Sequence, residues 1–237
     1  MSHAVELDPD SREAQVDLAM EWLRNVRIPP GQKEQTFTEI VEKLAPVLHL
    51  AVDTKRREYT ATVQAHIGYA TYLLFKEGNR GVNVENNFRT ALQLDSTNVF
   101  ANAMYGFWIL YPGHGDQSID DANLHFDAAV RSGKERTFVR HLMFSAVRNA
   151  SGPAYEAQVI KIANDMRKNH EEIGREERKK ILSKAYWFDR ETIMKEVGKI
   201  LSPEEHLQTF LFLSDGIDVD KNRYFKAALD TLRKAGG

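Results

Sequence analysis

A 38-residue repeat in the middle of the chain constrains its fold more strongly than any other feature of the sequence. A shift of 38 positions superimposes four pairs of identical residues: Ala65 on Ala103, Gly68 on Gly106, Phe88 on Phe126 and Ala91 on Ala129. In both copies the glycine is followed by a small apolar residue, a phenylalanine and an alanine, at +16, +20 and +23. Repeats of this length are single supersecondary units that bury their apolar side against neighbouring copies. The repeat therefore predicts an array of stacked units.

Each copy has the pattern of two packed helices. A glycine inside a helix costs about 1 kcal/mol relative to alanine, so Gly68 and Gly106 need a packing reason. The close approach of a second helix supplies that reason. The small residue, the phenylalanine and the alanine are spaced four and then three residues apart, which places them on one face of the second helix. The pattern predicts one helix hairpin in each copy.

The rest of the sequence also has helical periodicity. No segment alternates apolar and polar residues over the length of a strand with a hairpin turn behind it. The predicted helices are 11–26, 33–51, 54–77, 83–94, 97–111, 118–132, 135–149, 153–169, 175–187, 190–200, 203–214 and 220–235. Pro46 is expected to kink its helix or to end it early, and Ser202 is expected to cap the helix that begins at Pro203. The predicted fold class is all-α, with about twelve helices.

The repeat resembles the tetratricopeptide repeat (TPR) family. The residues that carry the resemblance are Gly68, Val84, Phe88 and Ala91 in one copy and Gly106, Ala122, Phe126 and Ala129 in the next. The family repeat has about 34 residues, and the extra length of each copy falls in the turn between its helices, at 78–81 and 112–115. Where the family often has a proline after the last alanine, this chain has Ser96 and Lys134. The resemblance implies an α-solenoid of antiparallel helix hairpins.

The domain organisation expected from this pattern is a single TPR-like repeat domain over residues 1–237. The clearest repeats are 62–96 and 100–134, with degenerate hairpins over 11–53 and 135–235. Residues 4–11 resemble the end of a repeat whose own hairpin is missing. We therefore expect the chain to be a fragment of a longer protein, with Met1 added at expression.

The resemblance also implies a binding surface, because the first helices of successive TPR repeats line a concave groove. The corresponding stripe is Thr62, Ala65, Tyr69, Tyr72, Phe100, Ala103, Phe107 and Leu110, continued by Phe138, His141, Ser145 and Arg148. The candidate binding residues are the rings of Tyr69, Tyr72, Phe100 and Phe107, with His141 and Arg148 to hold an acidic group at one end. Alanines at 65 and 103 would leave space for a ligand. The alternative interpretation is that the rings pack between helices.

Several kinds of chemistry have no support in the sequence. The chain has no cysteine, which excludes disulfides, cysteine-ligated zinc and thiol nucleophiles. Its 32 basic and 34 acidic residues argue against a general nucleic-acid binder. The eight histidines are dispersed, and no phosphate-binding or nucleophile motif occurs, so we expect no metal and no cofactor. The acidic residues after 214 lack the EF-hand spacing, and Asp218 or Asp220 is predicted to cap the last helix.

These features predict a non-catalytic protein–protein interaction scaffold that binds a peptide or a partner protein segment in its groove. The positions at which some TPR proteins hold a C-terminal carboxylate carry Ala65, Tyr69, Met104 and Phe138, which disfavours a chaperone-tail adaptor. The alternatives are a helical enzyme with a scattered active site and a self-assembly spacer that forms a homo-oligomer. No apolar stretch approaches the roughly 20 residues that cross a bilayer. We expect a soluble chain, with the cytoplasm favoured over the periplasm; the lack of cysteine fits a bacterial chain in either compartment.

Overall fold

Every regular element that the structure describes is a helix. The computed structural model of the chain describes residues 11–25, 29–52, 56–112, 118–149, 152–186 and 190–236. Its α-helices are α1 (Arg12–Asn25), α2 (Lys33–Leu44), α3 (Arg57–Lys76), α4 (Val84–Leu94), α5 (Val99–Ile109), α6 (Ile119–Arg131), α7 (Arg136–Asn149), α8 (Pro153–Lys168), α9 (Arg175–Tyr186), α10 (Arg190–Val197), α11 (Pro203–Ser214) and α12 (Arg223–Gly236). Short 3-10 helices occupy Ala45–Val52 and Val219–Lys221. The all-α prediction is confirmed.

The local signals at helix ends gave two correct predictions and one wrong one. Helix α2 ends at Leu44, two residues before Pro46, and the chain continues as a 3-10 helix. Ser202 forms a reciprocal capping box with Glu205 at the start of α11. The last helix is capped by Asn222, whose Oδ1 accepts the backbone N–H groups of 224 and 225. The assignment of this cap to Asp218 or Asp220 was wrong, because the 3-10 turn Val219–Lys221 contains Asp220 and lies between Asp218 and α12.

The chain divides into two compact units. The first comprises Met1–Ile109 and Asp120–Leu142, and the second comprises Leu110–Ile119 and Met143–Gly237. The first unit contains the first clear copy of the repeat, the second copy except for its segment 110–119, and α1, α2 and the first half of α7. The single-domain organisation expected from the sequence stays a prediction. Residues 4–10, on which the expectation of a longer protein rests, lie outside the described residues.

The repeated glycine and phenylalanine contact each other in both copies. A Cβ atom added to Gly68 would lie 2.7 Å from Cε1 of Phe88, a side chain with no solvent exposure. A Cβ atom added to Gly106 would lie 3.1 Å from the Phe126 ring and 3.0 Å from the carbonyl oxygen of Ala122. The two helices of each copy thus approach so closely that only glycine fits without displacing its neighbour.

A polar pair crosses between the two helices of each copy at equivalent positions. Gln64 Nε2 donates to Asn87 Oδ1 at 2.7 Å in the first copy. In the second copy, Asn102 Oδ1 and His125 Nδ1 are 3.1 Å apart. The 38-residue shift carries Gln64 onto Asn102 and Asn87 onto His125. The contact is therefore repeated although the residue types differ.

Helices α1 and α2 bury their apolar faces against α3. Their shared core consists mainly of Val16, Ala19 and Leu23 from α1, Phe37, Ile40 and Leu44 from α2, and Val63, Ile67, Ala70 and Leu74 from α3. Two polar contacts join α1 to the start of α3. Tyr59 donates its hydroxyl to Asp17 at 2.9 Å, and Arg56 pairs with Glu13. Polar and apolar contacts together place α1 beside the first repeat.

The second unit has its own core. Its fully buried side chains include Ile160 and Ile162 from α8, Leu182 and Tyr186 from α9, Phe210 and Leu213 from α11, and Leu232 from α12. Tyr186 and the largely buried His206 form a hydrogen bond of 2.8 Å inside this core. Glu156 is buried on α8 and pairs with Lys184 of α9 at 2.7 Å.

Among the described helices, none combines the length and the apolar composition needed to cross a membrane.

We expect G68A to destabilise the first unit. The new methyl group would meet the Phe88 ring at 2.7 Å, and overpacking of a filled core typically costs about 1–3 kcal/mol. The higher helix propensity of alanine offsets about 1 kcal/mol of this destabilisation. The free energy of unfolding should therefore fall by up to about 2 kcal/mol, measured by urea denaturation followed by circular dichroism.

A matched control for this variant is G81A, because a Cβ at Gly81 would make only an ordinary contact of 3.6 Å. Combining G68A with F88L should recover part of the lost stability, since leucine vacates the position of the ring. Equal stability of G68A and G81A would contradict the close packing described for the first repeat.

Candidate functional site

A cleft of about 510 Å³ lies in the first unit, between the start of α5, the start of α3 and the turn before α7. We call it the Phe100 cleft. Its lining includes Arg24, Thr62, Asn98, Phe100, Lys134 and Glu135. Thr62 and Phe100 are related by the 38-residue shift, so the cleft is built at the same position of two successive copies.

Phe100 is the aromatic wall of the cleft and the centre of a stack of rings. His66 stacks on it with 4.3 Å between ring centroids, and Phe138 stacks on it at 5.6 Å. Tyr69 meets it edge-on at 5.9 Å. Only 5% of the Phe100 side chain is exposed, so these contacts lock the ring in one orientation.

Arg24, near the end of α1, connects the cleft to three other parts of the first unit. Its Nε donates to His66 Nε2 at 2.9 Å, and its guanidinium carbon lies 4.5 Å from the centre of the Phe100 ring. A third contact joins it to Glu135, with 3.6 Å between Nη1 and Oε1. One side chain of α1 thus ties together α3, α5 and the turn before α7.

Asn98 forms the polar edge of the cleft. Its Oδ1 accepts the backbone N–H of Ala101, which makes Asn98 the N-cap of α5. Its Nδ2 donates to Thr62 Oγ1 at 3.0 Å, so the same side chain joins α5 to α3. Just before it, Asp95 accepts both the backbone N–H and the hydroxyl of Thr97. These bonds order the chain between α4 and α5.

The charges around the cleft are of both signs. Arg24 and Lys134 are basic, while Glu58, Asp95 and Glu135 are acidic. The ring of His66 behind Phe100 stays neutral, because burial and the neighbouring Arg24 charge lower its pKa to about 4. A cleft with this mixture of charges and an aromatic wall suits a segment that carries polar and apolar groups together.

The predicted groove rings are mostly packed between helices. Tyr72, Phe100 and Phe107 are each less than one-tenth exposed, and Tyr69 is partly buried. Tyr72 contacts Phe107 and Tyr69, with centroid distances of 5.6 and 6.2 Å. Ala65 and Ala103 have no exposure, so no open space lies beside them. These contacts match the alternative interpretation of the stripe; Phe100 alone of the four rings lines the cleft.

Of the two residues predicted to hold an acidic group, the structure describes the side chain of only one. His141 is exposed on α7, and the side chain of Arg148 lies outside the described residues. The basic groups at the Phe100 cleft are instead Arg24 and Lys134, which the sequence reasoning missed. No linear motif connects Arg24 to the repeat, because 42 residues separate it from His66. The cap at Asn98 could have been predicted from the sequence, since asparagine just before an apolar helix start is a typical N-cap.

A second depression, of about 520 Å³, lies between α1 and α2, where Leu18, Trp22 and Ile40 line it. It has apolar walls, and Gln15, Glu39 and Lys43 also line it. Neither depression contains a cluster suited to a metal. Across the described residues, no group of three or more histidine, aspartate or glutamate side chains is placed to hold an ion.

Comparison with known proteins gives no relative: no family model, no curated protein and no solved structure matches this chain.

We expect N98A to lower the stability of the first unit by about 2 kcal/mol. About 1 kcal/mol follows from the lost helix cap, and about 1 kcal/mol from the lost hydrogen bond to Thr62. N98D should lose about half as much, because its carboxylate still caps α5 but donates no hydrogen bond to Thr62. Urea denaturation of the two variants checks this order, and equal losses would contradict the two roles of Asn98.

The buried His206 should make the second unit sensitive to acid. Burial lowers the pKa of its imidazole to about 4, below the unfolded value of about 6.5. The unfolded chain therefore binds more protons between these values, and stability falls as the pH drops from 6.5 towards 4. The expected loss between pH 7.5 and pH 5 is on the order of 2 kcal/mol.

Urea denaturation of wild type and H206Q at both pH values measures this effect. H206Q should remove most of the pH dependence attributed to this residue. H170N, which changes an exposed histidine in the same unit, serves as the control and leaves the Tyr186–His206 bond intact. The same pH dependence in wild type and H206Q would contradict the assignment.

Proposed function

We propose that the chain is a TPR-like array of antiparallel helix hairpins that acts as a non-catalytic interaction module. Its ligand is a peptide or a segment of a partner protein, which binds in the Phe100 cleft. The observation that carries this proposal is the position of Thr62 and Phe100. They stand at the same point of two successive copies, on the first helix of each, and both line the cleft.

Three further contacts support the array. The glycine–phenylalanine contact recurs in both copies, as does the polar pair between their helices. In addition, Phe100 stacks on Phe138, the residue one repeat further along the chain, with ring planes 11° apart. Contact between translation-related positions is what stacked repeats produce, because each unit packs mainly against its neighbours.

The chemistry of the cleft favours a peptide over a nucleic acid. Phosphate backbones require a surplus of clustered cations, whereas this cleft has two basic and three acidic side chains. A peptide brings an amide backbone and side chains of either charge, and Asn98, Thr62 and Ser132 border the cleft as hydrogen-bonding groups. Arg24 and Phe100 belong to the residue types that contribute most at protein interfaces, arginine and aromatic side chains.

The experiment is a selection of random peptides from a display library on the immobilised full chain. The variant T97R narrows the cleft, because Thr97 is an exposed residue of its lining. T38R is the matched control, since Thr38 is an exposed threonine of α2 outside the cleft. Selected peptides should bind wild type and T38R alike and bind T97R about tenfold more weakly or worse.

Two results would overturn the proposal. One is the absence of any enriched peptide after selection against the full chain. The other is a set of peptides that bind wild type and T97R with the same affinity, because these would bind elsewhere on the surface. Circular dichroism of T97R and T38R verifies that both variants remain helical.

A further inference from the structure

The hydrogen bonds of His66 fix which of its nitrogens carries the proton. Nδ1 lies 2.7 Å from the carbonyl oxygen of Thr62, which only accepts, so Nδ1 must donate. Nε2 receives the Nε–H of Arg24, which is always charged, so Nε2 must accept. Both bonds are satisfied only by the neutral ring with its proton on Nδ1.

We propose that Arg24 and His66 form an acid-sensitive latch on the Phe100 cleft, in which protonation of His66 releases the Arg24 guanidinium from its place in the cleft wall. The latch is closed while the ring is neutral. A proton on Nε2 would place two N–H donors and two positive charges against each other across a distance of 2.9 Å. The hydrogen bond cannot survive that change, and Arg24, which is about one-third exposed, is the partner free to move towards solvent.

The environment of His66 determines the pH at which this happens. The ring is 2% exposed, so burial disfavours its charged form, and the Arg24 charge acts in the same direction. Together they lower its pKa to about 4, against a partial opposing effect of the Thr62 carbonyl. The latch therefore stays closed at neutral pH and opens as the pH falls towards 4.

The other charged groups near the latch lie on three elements. Helix α3 carries Glu58. It also carries the titratable but neutral Tyr69, whose ring lies beside Phe100. The turn before α7 carries Lys134 and Glu135. Asp95 lines the cleft ahead of α5, and Phe100 of α5 packs against His66 without any charge. Of these groups, Glu135 contacts Arg24 directly and is a carboxylate, so its own protonation must be separated from that of His66.

Release of Arg24 would change the cleft in a defined way. Its guanidinium lies over the Phe100 ring and pairs with Glu135, so both lose a neighbour when it moves. The remaining contacts of α1, such as the bond between Tyr59 and Asp17, do not involve His66 and keep the helix in place. The effect of the latch on partner binding rests on the function proposed above, whereas the latch itself does not.

The test is a pH titration of the full chain by NMR without any ligand, so its result is independent of peptide binding. It follows the ring nitrogens of His66 and the Nε of Arg24 from pH 7 to pH 3.5. At pH 7 we expect His66 to be the Nδ1–H tautomer. As the pH falls, the Arg24 Nε should lose the chemical shift that its hydrogen bond to His66 Nε2 gives it. Both signals should move with one midpoint near pH 4, while amide signals of α4 and α6 keep their folded positions.

Three variants separate the latch from other titrations. H66Q keeps an acceptor for Arg24 that does not titrate in this range, so the Arg24 signal should no longer respond to acid. E135Q should keep the response, because it removes only the carboxylate. H125Q is the matched control, since His125 is also partly buried in the first unit but bonds to Asn102 instead of Arg24; it too should keep the response.

The proposal is overturned if the Arg24 signal stays constant through the titration of His66 in wild type. It is equally overturned if E135Q abolishes the response, because Glu135 would then be the group that titrates. Should H66Q fail to fold, wild type and E135Q still decide between these outcomes.

Discussion

The contact between a mid-helix glycine and the phenylalanine twenty residues later is the interaction on which the first unit depends. At Gly68 and again at Gly106, the missing side chain lets the second helix lie against the backbone of the first. This close approach brings the cross-helix polar pairs within hydrogen-bonding distance. It also sets Thr62 and Phe100 on corresponding surfaces, which together border the cleft. A packing constraint on two residues thus positions the candidate site.

Buried polar groups add a second constraint, because each must find a partner inside the protein. His66 uses both ring nitrogens, and Asn98 uses its oxygen for a helix cap and its nitrogen for Thr62. In the second unit, Tyr186 and His206 satisfy each other. Such pairs stabilise one arrangement of helices, and burial lowers the pKa of the histidines among them, so the folded state disfavours their protonation in acid. Specific packing and sensitivity to acid therefore have the same physical origin.

Helix positions could be predicted closely from the sequence, since they follow from local patterns. The capping box at Ser202 and the end of α2 before Pro46 are examples. The cap of α12 was misplaced, because Asp218 and Asn222 are equally plausible caps and only the 3-10 turn between them decides. The candidate site was predicted less well. Phe100 was identified from its position in the repeat, whereas the contacts of Arg24 depend on folding that no spacing encodes.

The sequence by itself determined the helical class, most helix positions and the two glycine–phenylalanine contacts, because all of these follow from interactions within about 40 residues of chain. Only the tertiary structure decided which aromatic rings are covered and which border a cleft. It also decided that α1 supplies the arginine that meets His66 and Phe100. The physical reason is that burial and long-range hydrogen bonds depend on how separate helices pack, and the pattern within each helix is compatible with many such packings.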